Sequence, residues 1–161
     1  MADANDVARL VHLNGGRLVG KTRLQKSAYF LDAKNVGFGF DFSYHRFGPY
    51  SEDLAIATDD ADTLDLLNVE WKESQGGAKF AIFCATSRNY SDEAEDKTRR
   101  EILETLKNYS SIEVELAATA NFLRRNGFAA DPWTETQRRK ATKVNPMRLE
   151  RSKKLLSELS L

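Results

Sequence analysis

The stretch Gly15-Gly16-Arg17-Leu18-Val19-Gly20-Lys21-Thr22 has the spacing G-x-x-x-x-G-K-[ST], in which backbone amides of a glycine-rich loop cradle phosphates. In that chemistry Gly20 would open the backbone to a phosphate, Lys21 would reach the β- and γ-phosphates, and the Thr22 hydroxyl would hold Mg²⁺. The pattern requires a buried parallel strand ahead of it. Residues 6–13 instead carry Val7, Leu10 and Val11 at helical spacing, with Arg9 and His12 between them. Leu18 and Val19 are bulky strand formers that do not suit a tight anion nest. No apolar strand ending in Asp offers a second magnesium ligand, and alternating βα units are missing. A competing reading has Gly15 and Gly16 ending a helix, Leu18 and Val19 in a short strand, and Thr22 capping the next helix. Nucleotide binding through Gly20, Lys21 and Thr22 therefore stands behind two other readings.

Other chemistry is sparse. His12 and His45 are the only histidines, so no histidine pair at helical spacing can hold zinc. His45 is the better functional candidate of the two, because it adjoins the turn Phe47-Gly48-Pro49-Tyr50. Cys84 lies in an apolar run, where a small buried hydrophobe is expected in place of a nucleophile, and a lone cysteine excludes an internal disulfide framework. There is no nucleophile elbow, and the many carboxylates read as a solvated face. The expectation is a chain that is not an enzyme and takes no cofactor or metal.

Net charge is zero but unevenly distributed. Residues 52–73 hold eight acids against one base, Lys72, whereas residues 124–154 hold ten bases against three acids. Within 51–67, where a groove-reading helix would fall, there are six acids and no Lys or Arg. Phosphate neutralisation supplies most non-specific affinity for DNA, so such a helix would repel a duplex. If nucleic acid binds, Arg138, Arg139, Lys140, Lys143 and Arg148 should make mainly phosphate contacts; otherwise they form the solvated side of two amphipathic helices.

A chain of 161 residues with 41% hydrophobic and 30% charged residues is a globular domain large enough to bury a core. Its acidic first residues lack the apolar region of a signal peptide, and no run is long enough to cross a bilayer, which points to the cytoplasm. Apolar spacing and caps predict a helix over 6–13, a short strand at 17–19, and a helix opened by a capping box at Thr22 and Gln25. Alternating Phe38, Phe40, Phe42 and Tyr44 predict a half-buried strand. Ser51 caps a helix with Leu54, Ala57, Ala61, Leu64 and Leu67 inward, and runs at 67–73 and 78–86 form a hairpin about Ser74-Gln75-Gly76-Gly77. The remainder is helical: an acid-rich start at Ser91, capping boxes at Ser110 and Thr134, and Asn145-Pro146 before a last helix. The best seam between subdomains falls at 88–91.

At Arg23-Leu24-Gln25-Lys26-Ser27-Ala28-Tyr29-Phe30-Leu31 and Phe47-Gly48-Pro49-Tyr50-Ser51 the chain resembles Panacea-type (SocA-like) antitoxin domains. It is also similar to an uncharacterised bacterial winged-helix-like family with L-Q-K and Y-G-P-Y-S elements. The resemblance covers roughly 5–70 and more loosely 115–127. It implies no enzyme activity, and for Panacea domains it implies recognition of a partner protein, typically a toxin. Leu24, Gln25, Lys26, Tyr29, Gly48, Pro49 and Tyr50 are the shared elements; Ser27 and Phe47 depart from the pattern.

The sequence therefore predicts a mostly helical α+β chain forming one domain over 1–161. A winged-helix-like core (helix, short strand, helix, helix, β-hairpin) spans 5–87, and three or four C-terminal helices span 91–160. The leading function is a non-catalytic regulatory or antitoxin-like module that binds a protein through His45, Gly48, Pro49, Tyr50, Asp59, Asp60 and Asp62, with room for a homodimer. A DNA-binding regulator using the basic C-terminal helices is the alternative.

Overall fold

The structure, a computed structural model, describes residues 1–86, 89–128 and 130–161. Its elements run α1 (Ala4–Leu13), β1 (Arg17–Val19), α2 (Lys21–Ala33), β2 (Ser43–His45), β3 (Gly48–Tyr50), α3 (Glu52–Thr63), β4 (Leu67–Glu73), β5 (Lys79–Ala85), α4 (Asp96–Leu106), α5 (Ser111–Arg125), α6 (Pro132–Arg139) and α7 (Pro146–Glu158). This is the mostly helical α+β arrangement expected, in the expected order. The seam proposed at 88–91 begins at Arg88, which lies outside the described residues.

β1, β5 and β4 form one antiparallel sheet in that order, with Val19 opposite Ile82 and Glu73 opposite Lys79. The stretch with phosphate-loop spacing is thus not a loop. A helix precedes it, its centre is β1, and the flanking glycines join the ladder: Ala85 donates to the Gly16 carbonyl and Gly20 to that of Ala81. A separate ribbon pairs β2 with β3, His45 opposite Gly48. The strand expected over 38–44 shrinks to Ser43–His45, because Phe40 and Phe42 turn into the core and packing replaces a ladder.

α1 buries Val7, Leu10 and Val11 and begins two residues earlier than its apolar spacing suggests, on a capping box between Asp3 and Asp6. α5 is buried on nearly all sides; Ala117, Ala118 and Ala120 let α2, β3, α6 and α7 approach it closely. Its capping box, Ser110 with Glu113, is the one predicted, as is the Asn145 cap before Pro146. Three other starts differ. α2 starts at Lys21 behind Gly20 with no side-chain cap; Thr22, expected to cap it, lies inside the helix, and Gln25 bonds Ser51 instead. α4 begins at Asp96, not near Ser91, and α6 is capped by Asp131 ahead of Pro132, which leaves Thr134 inside the helix. Leu64, expected inward, is 60% exposed. α3 ends at Thr63, Asp65 takes a left-handed conformation (φ 56°), and Leu66 and Leu67 enter the core instead.

The residues at the LQK and GPYS motifs lock α2 to the ribbon. Buried Gln25 donates to the Ser51 carbonyl at 3.0 Å while its own carbonyl oxygen accepts from the Ser51 amide at 2.8 Å. The Ser51 hydroxyl then accepts from the Leu54 amide and caps α3. On the opposite flank Arg23 donates to the carbonyls of Leu106 and Tyr109, where α4 ends and its dipole favours a cation. Gly48 (φ 88°) lies so close to α5 that a Cβ there would meet Thr119 Oγ1 at 2.5 Å.

Gln25→Ala should cost about 3 kcal/mol in urea unfolding, since it strands a buried amide and a buried carbonyl of Ser51. Gly48→Ala should cost about 2 kcal/mol or more, combining backbone strain with the Thr119 clash. Gly16→Ala, with the same positive φ and nothing within 4 Å, should cost only about 1 kcal/mol.

Candidate functional site

A cleft of about 360 Å³ opens between α2, the ribbon, α3 and the inner face of the sheet. Leu24, Phe47, Ala55 and Phe83 supply apolar walls, and Lys21, Thr22, Tyr50 and Asp59 supply polar groups. Helix α2 places Lys21 and Thr22 because it starts where β1 leaves the sheet. β3 places Tyr50 because Pro49 and Ser51, on either side of it, are held by Lys26 and Gln25. Burial, then the carboxylates of Glu52 and Asp59, raises the Tyr50 hydroxyl above its ordinary pKa.

The sequence-predicted residues fall into distinct positions around this cleft. Tyr50 and Asp59 line it, and so do Lys21 and Thr22, which the sequence had tied to a different chemistry. His45 is exposed and stacks on the Tyr50 ring at 4.9 Å. Gly48 and Pro49 are buried behind the cleft and support it. Asp60 and Asp62 lie exposed on α3, continuing the acidic surface of Glu52, Asp53 and Asp59. Sequence reasoning passed over Ile56, which is 59% exposed on the same helix. The signal was present: Ile56 falls off the stripe of Leu54, Ala57 and Ala61, so the helix has a large apolar side chain where a polar one belongs.

Behind the ribbon lies a buried charge cluster. Lys26, 1% exposed, donates to the Pro49 carbonyl at 2.7 Å. Glu115 on α5 meets Lys143 at 2.8 Å and Lys140 at 3.2 Å, and Lys140 also donates to the Arg46 carbonyl. Burial lowers the Lys26 ammonium to a pKa of about 8, opposed by Glu115 and reinforced by Lys140 and Lys143. Burial likewise lowers Lys140, with Glu115 pulling the other way.

These contacts take Lys140 and Lys143 out of a solvated cationic face, whereas Arg138 and Arg139 remain exposed on it. Lys140 is buried, and Lys143 is spent on Glu115. Arg148 donates to the Lys143 carbonyl. Arg138 and Arg139 both pair with Glu135, holding its carboxyl down at about 2, and Arg139 also lies over the rings of Tyr44 and Phe128.

Among the described residues no group of three or more His, Cys, Asp or Glu is placed to hold a metal ion, and no helix is long and apolar enough to cross a membrane. No family model matches the chain, and no solved structure matches it. It is similar to the uncharacterized protein YwgA of Bacillus subtilis (strain 168), with 33% identity over 67 residues. That stretch is 42% of this chain and 40% of the relative, so the chain spans less than half the length of the relative it matches.

The Lys26 ammonium should leave a pH signature. Its folded pKa of about 8 lies below the ordinary 10.5, so between these values the unfolded chain binds more protons and stability rises with pH. Tyr29 and Tyr109, both raised to about 12 chiefly by burial, act oppositely above pH 10. Urea unfolding of the wild type should therefore show stability climbing from about pH 8 to 10, and Lys26→Met should flatten that climb.

Proposed function

We propose that the chain is a non-catalytic protein-binding module of regulatory or antitoxin-like type, with a winged-helix-like core, acting in the cytoplasm. The observation that carries this reading is the face of α3: Glu52, Asp53, Asp59 and Asp60 are exposed around Ile56, with Asp62 exposed further along the helix, beside a cleft with apolar walls. An exposed large apolar side chain ringed by like charges is the composition of a specific contact, in which a buried apolar anchor provides affinity and the charged rim selects the partner. The complementary surface is a basic segment carrying a large apolar side chain. His45 and Tyr50, stacked at the cleft edge, supply further contact area. The acidity of α3 argues against a duplex on this face. A free, partly buried Cys84 suits a reducing compartment.

The test is capture of partner proteins on immobilised wild type, followed by affinity measurement with each protein identified. Ile56→Asp and the triple reversal Asp59→Arg, Asp60→Arg, Asp62→Arg should each weaken binding by about tenfold or more. Arg138→Glu with Arg139→Glu should leave it unchanged. A chain that captures nothing, yet shifts duplex DNA in a salt-sensitive way lost in the Arg138/Arg139 reversal, would sink the reading.

A further inference from the structure

β4 is an edge of the three-stranded sheet, and its seven residues are mostly exposed. Ser74 donates to Ala78, its direct opposite, which marks the even-numbered positions of this strand as the hydrogen-bonded ones toward β5. By the alternation of an antiparallel ladder, Leu67, Val69, Trp71 and Glu73 turn their N–H and C=O groups to the open edge. A long open edge is a template for another strand. At its centre stands Trp71, 57% exposed, with the Lys21 ammonium 4.9 Å from the ring centroid.

We infer that this edge pairs with the same edge of a second copy, in antiparallel register centred on Trp71, to give one continuous six-stranded sheet. Charge complementarity selects the partner and the register. Centring on Trp71 sets Trp71 opposite its symmetry mate and places Glu70 opposite Lys72 of the other copy, twice. A shift of the centre to Glu70 puts like carboxylates face to face, and a shift to Lys72 opposes two ammoniums; both are destabilising. The Trp71-centred register pairs the outward edge groups of Val69, Trp71 and Glu73 with those of Glu73, Trp71 and Val69 of the other copy, and it opposes unlike charges at the positions between them. Glu70 and Lys72 lie on the face away from Trp71, so the two charge pairs and the ring pair form on opposite sides of the new ladder. This interface is separate from the α3 face, and it stands or falls independently of the partner proposed there.

The experiment is a light-scattering mass across a dilution series of the full chain, with circular dichroism confirming that each variant is folded. The wild type should reach twice 18.2 kDa. Glu70→Lys alone and Lys72→Glu alone should each raise the dimer dissociation constant by about tenfold, since each replaces two unlike pairs with like ones. The double variant E70K/K72E restores unlike pairs in the same register and should recover the wild-type constant. A wild type that stays monomeric overturns the inference, as does a dimer indifferent to either single reversal. So does a double variant no better than the singles.

Discussion

The contact on which the rest hangs is the pair of hydrogen bonds between the Gln25 amide and the backbone of Ser51. Residues 34–42 have no regular structure, and the ribbon that follows is only three residues per strand, too short to hold itself in water. Gln25 acts as a surrogate strand, offering one donor and one acceptor where a ladder would offer them. Because Ser51 is also the cap of α3, the same contact fixes the start of that helix and the direction in which its acids point. Lys26 completes the attachment at Pro49, and Gly48 allows the ribbon to close on Thr119. The resemblance motifs are thus adjacent in space, and their most direct role is to hold the cleft open between α2 and α3.

Such an arrangement is costly in the same place that it is useful. Three ammoniums and one carboxylate are clustered behind the ribbon, and burial of an ammonium is tolerated only with partners in place. Lys26 has the Pro49 carbonyl, and Lys140 has Glu115 and the Arg46 carbonyl. These bonds end on backbone of the ribbon itself, so loss of the ribbon would leave cations stranded in the interior. The polar cluster therefore ties the ribbon to α5 and, through Lys140, to the end of α6.

The elements legible in the sequence were those set by local chemistry. Helical spacing in α1, the capping box at Ser110, the Asn145-Pro146 start and the Gly76-Gly77 hairpin need only neighbours along the chain, and they appear as expected. Some departures are local, such as the Asp131 cap that leaves Thr134 inside α6, but the larger ones come from a distant partner. Gln25 has the spacing of a capping residue but bonds a segment 26 residues away. The aromatic alternation of 38–44 is that of a strand, yet Phe42 packs on Tyr29 and Tyr44 lies beside Phe122. At the site, Tyr50 and Asp59 were found through the turn and the acidic run, while Lys21 and Thr22 reached the same cleft by way of a motif that the fold does not form.

Linear charge was a good guide in one half of the molecule and a poor one in the other, and the difference is instructive. A run of bases makes a cationic surface only if no acids lie across from it in the fold. Here Glu113, Glu115 and Glu135 sit one or two turns into α5 and α6, within reach of Arg151, Lys140, Lys143, Arg138 and Arg139, and absorb much of that charge. The acids of α3 have no such counterparts: none of Glu52, Asp53, Asp59, Asp60 and Asp62 enters an ion pair among the described residues. The acidic face of α3, beside the cleft, is therefore left without ion-pair partners among the described residues.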